Sequence, residues 1–408
     1  MSSFLLKIAF ILMKKTYLKA EPFEYEEAAR SLASGGGMKI LYLGVPYYAH
    51  AHPLYPALCG MIYRMRGNHL AVLLVQVAAS TLLGLLVYWL GRKLFSPAAG
   101  YLGCLMTLLH PALWVYTTLK LHSLIFDACW FLVILHAFLK LEESFSISRS
   151  FFTGLLGGLT CLARSTIGLF ILFGVFWVFW QRIKKTSFPY LVWGMSVLLL
   201  VTSLTVTPWL VRNEKRLGHW IGIVSTFGLN LWLGNNPHAS GSAYTADGKM
   251  VLDTMPFEIA GRLPFLTEWE QNALLKEKAL DFMRTHPRQT AALFLKKWLI
   301  FWWRAPQTGI LYPETWKMLY TFYYLMLLGF TAGGMGHAIF SSDKQLQSFS
   351  WLILFLFLSV SLTQSLFFVE GRHRWAVEPI LLIFSAQGIH LLWGRVRKLC
   401  VGSAVKSA

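Results

Sequence analysis

The sequence predicts an all-α polytopic membrane protein, and three observations carry the prediction. Hydrophobic residues make up 56% of the 408 and charged residues only 14%, with a mean hydropathy of +0.52, well outside the averages of soluble domains. Apolar stretches of about 20 residues, long enough to cross a hydrocarbon core, recur along the chain. Lysines and arginines lie in short clusters between those stretches and not on one polar domain. The net charge of +18 is therefore assigned to topology and anionic membrane lipid, with no nucleic-acid partner expected.

Taken in order, the apolar stretches predict helices near 70–90, 98–117, 121–140, 150–165, 166–181, 189–209, 317–339, 349–369 and 375–394. The run from Phe4 to Leu18 is shorter and contains Lys7, so it counts as a tenth, curtailed helix. When these spans alternate across a bilayer, Arg92-Lys93, Arg149, Arg182-Lys184-Lys185, Lys344 and the tail Arg395-Arg397-Lys398 fall on one side. The positive-inside rule makes that side, and the C-terminus, cytoplasmic. The opposite face receives residues 19–69, the Arg164 hairpin, the long segment 210–316 and the turn from Glu370 to Arg374. Three regions follow: a transmembrane module over 1–209 with its first outer loop at 19–69, an outer region with interfacial helices over 210–316, and C-terminal helices with a basic tail over 317–408.

Within 258–303 the amphipathic pattern of Glu268–His286 is interrupted at Pro287. The following helix carries Trp298, Trp302 and Trp303 beside Lys296, Lys297 and Arg304, the makeup of a helix lying at the headgroup level. Cys59, Cys104, Cys129, Cys161 and Cys400 show no metal or redox spacing and read as small packing residues.

Every polar constellation falls on the outer face. Thr207–Gly241 leaves a hydrophobic span at Pro208, with Arg212-Asn213 closing the apolar run, and enters a turn at Gly234-Asn235-Asn236-Pro237. Glu21, Glu24, Glu26 and Glu27 stand before a short helix, where carboxylates neutralise a helix N-terminus, bind a divalent cation or act as a base. His50 and His52, at the i, i+2 spacing of extended chain, project to one side next to Tyr55; phosphate or sugar binding suits them better than a metal. Arg164, Arg212, Arg372, His373, Arg374, Lys120 and His122 gather at outer helix ends, and guanidinium forks with an ammonium suit a lipid phosphate. Asp127, His136 and Glu378 lie within or near spans and read as interhelical hydrogen-bond partners.

Three classes compete. A transporter or flippase of lipid-linked sugars calls for repeated halves and polar groups at the midplane, whereas these charges sit at one surface. A non-catalytic lipid-binding assembly partner leaves the carboxylates unexplained. An enzyme acting on a lipid-linked substrate uses both the carboxylates and the cations.

At this point the residues resemble a known family. PWLVRN (208–213), the G..I.ST..GLNLW.GNNP..SG pattern that follows it, EPFEYEEAARSLASGGGM (21–38), HPLYPAL (52–58), GLTCLARST (158–166) and EGRHRWAVEP (370–379) are similar to motifs of polyprenyl-phosphate-sugar-dependent glycosyltransferases. These have the GT-C fold and include protein mannosyltransferase-like and aminoarabinose-transferase-like enzymes (family 39/83-like). The resemblance implies a GT-C bundle of about ten transmembrane helices in a bacterial cytoplasmic (inner) membrane, with short juxtamembrane helices and a site facing the periplasm or exterior. It implies inverting transfer of a hexosyl or pentosyl group from a polyprenyl-phosphate-linked donor to a glycan, lipid or protein acceptor.

In that family the base is usually Asp, four residues before a Tyr; here Glu21 stands four before Tyr25, and Glu24 is the alternative. Arg164, Arg212, Arg372, Arg374 and Lys120 are implied at the lipid phosphate. His50, His52, Tyr55, Asn213, Asn230, Asn235 and Asn236 are implied at the sugar or acceptor. No metal ligand is assigned, and the cofactor stays open between a divalent cation and none. The chain departs from the pattern in three places: Glu for Asp at 21, Ala51-His52 where related enzymes have an acidic residue and Lys, and His122-Ser123 where many have Glu.

Overall fold

The computed structural model describes residues 2–245, 247–303 and 313–406, with side chains described for 3–245, 247–303 and 313–398. Arg304 and the Cys400 side chain, both named above, lie outside this set. The chain opens with α1 (Ser2–Met13), β1 (Glu21–Pro22), α2 (Glu24–Ala33), β2 (Ile40–Tyr42), β3 (Val45–Tyr47) and α3 (Leu54–Arg64). The next elements are α4 (His69–Leu94), α5 (Pro97–Leu109), α6 (Pro111–Thr118), β4 (Lys120–Leu121), α7 (Leu124–Glu143), α8 (Ile147–Ala163), α9 (Gly168–Arg182) and α10 (Phe188–Leu217). Short helices α11 (Phe227–Gly234) and α12 (Phe257–Ala260) precede α13 (Glu268–Thr285) and α14 (Pro287–Trp302). The chain then runs through α15 (Glu314–Ile339), α16 (Lys344–Ser365), α17 (Gly371–Trp375) and α18 (Glu378–Lys406).

Each of the ten predicted stretches is helical. Among the described residues, seven helices are long and apolar enough to cross a membrane (α4, α7, α9 with the turn before it, α10, α15, α16 and α18), and α5–α6 make an eighth if their 52° bend is one broken span. Pro111 explains that bend: it has no N–H to give, and it holds His110 at ψ 123°, outside helical geometry. His110 Nδ1 then caps α6 by accepting the Leu113 N–H at 3.3 Å. α1 and α8 are apolar but shorter, at 12 and 17 residues.

α10 corrects the reading of Pro208. The helix passes through that proline and ends only at Gly218, whose φ of 72° is the left-handed cap that glycine accepts without cost. Its 30 residues make a rod of about 45 Å, so its last turns rise well past a hydrocarbon core of about 30 Å.

α7 is the axis of the bundle, with Leu124, Phe131, Leu132, Leu135 and Phe138 fully buried. Small residues let α15 and α18 close on each other. A Cβ on Gly334 of α15 would lie 2.0 Å from the Phe384 carbonyl oxygen, and one on Gly388 of α18 would lie 2.1 Å from that of Phe330, so these two helices touch backbone to backbone. The two ends of the bundle differ in chemistry. At one, Lys93 pairs with Glu143 at 2.6 Å while Arg182 and Lys185 flank Glu142 at 3.9 and 3.8 Å. At the other, the N-terminal residue of α4, His69, meets Glu26 of α2, so the small β pairs, α2, α3, α11 and α13 gather there.

Candidate active site

The site is built on a parallel pair, β1 with β4, which sets Glu21 opposite Lys120 and Pro22 opposite Leu121. The Glu21 N–H donates to Leu119 O at 3.0 Å, and the Lys120 ammonium donates to the Glu21 carboxylate. Gln76, buried in α4, fixes the partner strand. Its Nε2 donates to Tyr116 O at 3.1 Å and Lys120 O at 2.9 Å, and its Oε1 accepts from the Tyr55 hydroxyl at 2.6 Å and the His122 N–H at 3.3 Å. A polar side chain inside a span is stable there because all of its hydrogen-bonding capacity is used. Tyr55 is thereby committed to the scaffold.

Glu24, Glu26 and Glu27 open α2, where carboxylates favour a helix N-terminus. They separate by role. Glu26 is buried and binds Arg30 Nε at 2.7 Å and His69 at 2.6 Å; Glu27 accepts the Leu41 N–H at 2.7 Å. Glu24 is exposed, and its charge acts on Tyr25, Tyr42, His50, Glu370 and Arg372. Glu21, exposed although paired with Lys120, and Glu24 are thus the carboxylates open to a ligand.

Two guanidinium groups face them. Arg372, in α17, lies with its Cζ 5.8 Å from the Phe23 ring and its Nε 2.9 Å from Glu370. Arg164, at the end of α8, donates to Asp127 Oδ2 at 3.0 Å, an oxygen that also accepts the Ser123 hydroxyl at 3.1 Å. Burial raises the Glu370 carboxyl above its ordinary range, and the Arg372 charge opposes that rise. His52 ties the hairpin to α3: its Nε2 accepts the Ser165 N–H at 2.9 Å, and burial followed by the Arg164 charge pushes its pKa down to about 3. His50 packs against Tyr42 and Tyr47 with ring centroids 4.5 and 5.6 Å away, and its buried Nδ1 has no partner among the described residues.

The other residues singled out in the sequence serve the frame around this cluster. Arg374 is buried: Nε donates to Glu378 at 2.6 Å and Nη1 to Phe301 O at 2.9 Å, while Glu378 also meets His110 at 2.5 Å and the Tyr320 hydroxyl at 2.9 Å. Arg212 donates to Tyr48 O at 2.6 Å and to Asn213 at 2.9 Å, and Asn213 donates onward to Gly222 O at 3.1 Å. Asn235 donates to Leu231 O and Leu366 O at 2.8 and 2.9 Å, Asn236 to Trp232 O at 2.8 Å, and Asn230 to the Thr226 hydroxyl at 3.4 Å. Gly234 passes so close to Phe367 that a Cβ would lie 2.2 Å from its carbonyl oxygen. Val369 N–H donates to Gly241 O at 2.9 Å. The GNNP turn therefore holds residues 366–369, the strut that delivers Glu370 and Arg372.

Two positioning groups were missed in the sequence, and a third, Lys297, was read there as a headgroup-level cation but is buried. Glu268 of α13 accepts the Tyr48 and Ala49 N–H groups at 2.6 and 2.9 Å and the Ser225 hydroxyl. Gln271, one turn on, accepts the Tyr47 hydroxyl at 2.6 Å. Lys297 of α14 donates to Gly234 O at 3.1 Å and Asn235 Oδ1 at 3.0 Å, and burial pushes its pKa down to about 7. Their signal was polarity on the buried stripe of an amphipathic helix, visible only once the stripe is known.

The helical architecture matches known structures. The Archaeoglobus fulgidus oligosaccharyltransferase in its apo form superposes with a TM-score of 0.53 at 12% identity, over 94% of this chain and 48% of that one. The fold is GT-C. Archaeal oligosaccharyltransferase AglB from the same organism, in complex with an inhibitory peptide and a dolichol-phosphate, shares this GT-C arrangement at TM-score 0.51 and 12% identity, over 94% and 47% of the two chains. The chain thus spans about half the length of these oligosaccharyltransferases. ArnT from Cupriavidus metallidurans bound to undecaprenyl phosphate aligns at TM-score 0.42 and 13% identity, over 92% and 77%. A family model described as dolichyl-phosphate-mannose-protein mannosyltransferase matches residues 49–209, from the His50 loop into α10. No curated protein matches the chain by sequence.

Proposed function

We propose that this protein transfers a sugar, hexosyl or pentosyl, from a polyprenyl phosphate carrier to an acceptor at the bundle end that holds Glu21 and Glu24, the extracytoplasmic face of a bacterial inner membrane. The observation that carries the reading is the meeting of two accessible carboxylates with Lys120, Arg164 and Arg372, delivered by five separate segments to one face of a GT-C bundle.

In the reaction a first-loop carboxylate takes the acceptor proton while the acceptor oxygen forms its bond to the anomeric carbon. The bond from that carbon to the phosphate oxygen breaks, its electron pair stays on the phosphate, and the configuration inverts. The leaving polyprenyl phosphate gains a negative charge in this step. Fixed guanidinium and ammonium groups at that oxygen stabilise the transition state more than the ground state. Glu21 is the base in this account, because Lys120 fixes where its carboxylate stands. Glu24 shapes the field between His50 and Arg372. Arg212, Asn213, Arg374 and the GNNP asparagines hold the frame.

Among the described residues no three His, Cys, Asp or Glu side chains gather as metal ligands. Membranes containing the protein and a polyprenyl-phosphate sugar test the reading. Transfer to an acceptor supports it, and movement of the labelled carrier across the bilayer with no glycosidic bond formed overturns it in favour of a transporter.

A further inference from the structure

His122 and His373 flank the cluster, one just before α7 and the other within α17, and both are buried. Each ring has one nitrogen occupied in the same way. The Leu124 N–H donates to His122 Nδ1 at 3.0 Å, and the Glu370 N–H donates to His373 Nδ1 at 3.1 Å. A backbone N–H can only donate, so each Nδ1 is the bare acceptor and the neutral ring carries its hydrogen on Nε2. Among the described residues neither Nε2 has a hydrogen-bond partner, and neither is a sealed, unpartnered atom. Each Nε2–H is therefore left without an acceptor among the described residues.

The surroundings keep these rings uncharged and fixed. Burial first, then the charges of Arg372 and Arg164, hold both imidazoles well below the usual histidine range. Contacts link the four groups: Arg372, next to His373 in α17, lies 5.8 Å from the Phe23 ring, which meets the His122 ring at 4.8 Å, and Arg164 shares Asp127 with Ser123, the neighbour of His122. His122 is boxed by the rings of Phe23, Tyr25 and Tyr116 at 4.8, 5.2 and 5.1 Å, and His373 rests against Phe368 at 5.5 Å.

We infer that His122 and His373 are neutral N–H donors to the phosphate of the polyprenyl carrier, completing with Arg164 and Arg372 a four-point anion site. The inference rests on the transfer reading above and changes the part these histidines play: the sequence counts them with the cations, whereas the structure presents them as dipoles. Such donors bind a phosphodiester and strengthen as it becomes the more highly charged phosphate monoester, without adding positive charge to the resting site.

The test uses the purified full chain in nanodiscs, titrated with a polyprenyl phosphate. Asparagine is the informative substitution, since its Oδ1 replaces Nδ1 as acceptor for the backbone N–H and nothing replaces the Nε2 hydrogen. His122→Asn and His373→Asn should each weaken carrier binding by roughly 10-fold, and the double variant by about 100-fold, with melting temperatures close to the parent. Parent-like binding by both variants, with Arg372→Ala binding lost, overturns the imidazole assignment and leaves the transfer reading standing. Binding unchanged in Arg372→Ala as well, or absent from the parent, overturns both. If either asparagine variant does not fold, the parent labelled with 15N-histidine decides: two Nε2–H signals should move downfield on adding carrier, and their failure to move rejects the proposal.

Discussion

Glu21 and Lys120 face each other across a two-residue parallel strand pair although they are 99 residues apart in the chain. The lysine side chain is buried, and the glutamate keeps 60% of its side chain exposed. Removing the ammonium therefore leaves a hydrated carboxylate and not a stranded one. Lys120→Met should cost about 1 kcal/mol of stability or less, while the rate of sugar transfer falls on the order of 100-fold. Melting curves and initial rates on the same preparation check both halves.

Two arginines two residues apart should behave differently. Arg374 is sealed in a network with Glu378, His110 and Tyr320, so Arg374→Ala strands a buried carboxylate and should cost about 3–5 kcal/mol, with loss of folded protein. Arg372→Ala removes the ion-pair partner of buried Glu370 and should cost about 1–3 kcal/mol, less than Arg374→Ala, while carrier binding falls roughly 10-fold to 100-fold in the folded protein. Yield of monodisperse protein and carrier titration separate the two.

Glu268 fastens α13 to the first loop through two backbone N–H groups and a hydroxyl. Glu268→Ala leaves those donors buried without partners. The expected cost is about 2–4 kcal/mol, with hydrogen exchange rising at Tyr48 and Ala49 before it rises in α7. Equal protection in parent and variant would show that the clamp does not hold the loop.

Acid should loosen the site. His52, His122 and His373 each accept a backbone N–H on a ring nitrogen, and all three have folded-state pKa values below the ordinary 6.5. The unfolded chain thus binds more protons in that window, so stability present above about pH 6.5 is lost as pH falls, down to about 3 for His52. Melting temperature should decline steadily from pH 7 to pH 4, and protection at Ser165 should fall with it. A flat profile would mean that these rings are not held neutral by the fold.

The apolar helices were legible because hydropathy and length are properties of each segment alone: all ten stretches from Phe4 to the last helix are helical, although among the described residues only seven, or eight with the bent α5–α6 pair, are long and apolar enough to cross a membrane. The end of α10 was not. Pro208 reads as a stop by its own chemistry, yet the helix continues through it to Gly218, with Thr205 and Thr207 turning their hydroxyls back onto Val201 O and Ser203 O at 2.7 and 2.8 Å. The residue types of the site were legible too, but their division of labour was not. Arg372 and Arg374 look alike in sequence and each meets one carboxylate, Glu370 or Glu378; only the packing of α14 and α15 gives Arg374 the further Phe301 carbonyl and Tyr320 hydroxyl partners. Asn235 and Asn236 suggested a sugar pocket, whereas their amides meet the carbonyls that hold the strut to Arg372. Gln76 and Glu268 escaped notice because a polar residue on a buried face announces its role only through a partner distant in sequence.

The central claim is that a first-loop carboxylate makes the bond. Sugar transfer from a polyprenyl phosphate donor, measured in membranes carrying equal amounts of parent, Glu21→Gln and Glu24→Gln protein, tests it most directly. Glu21→Gln should abolish transfer while the protein stays inserted and binds carrier, and Glu24→Gln should be slowed but active. Full transfer by both variants would contradict it.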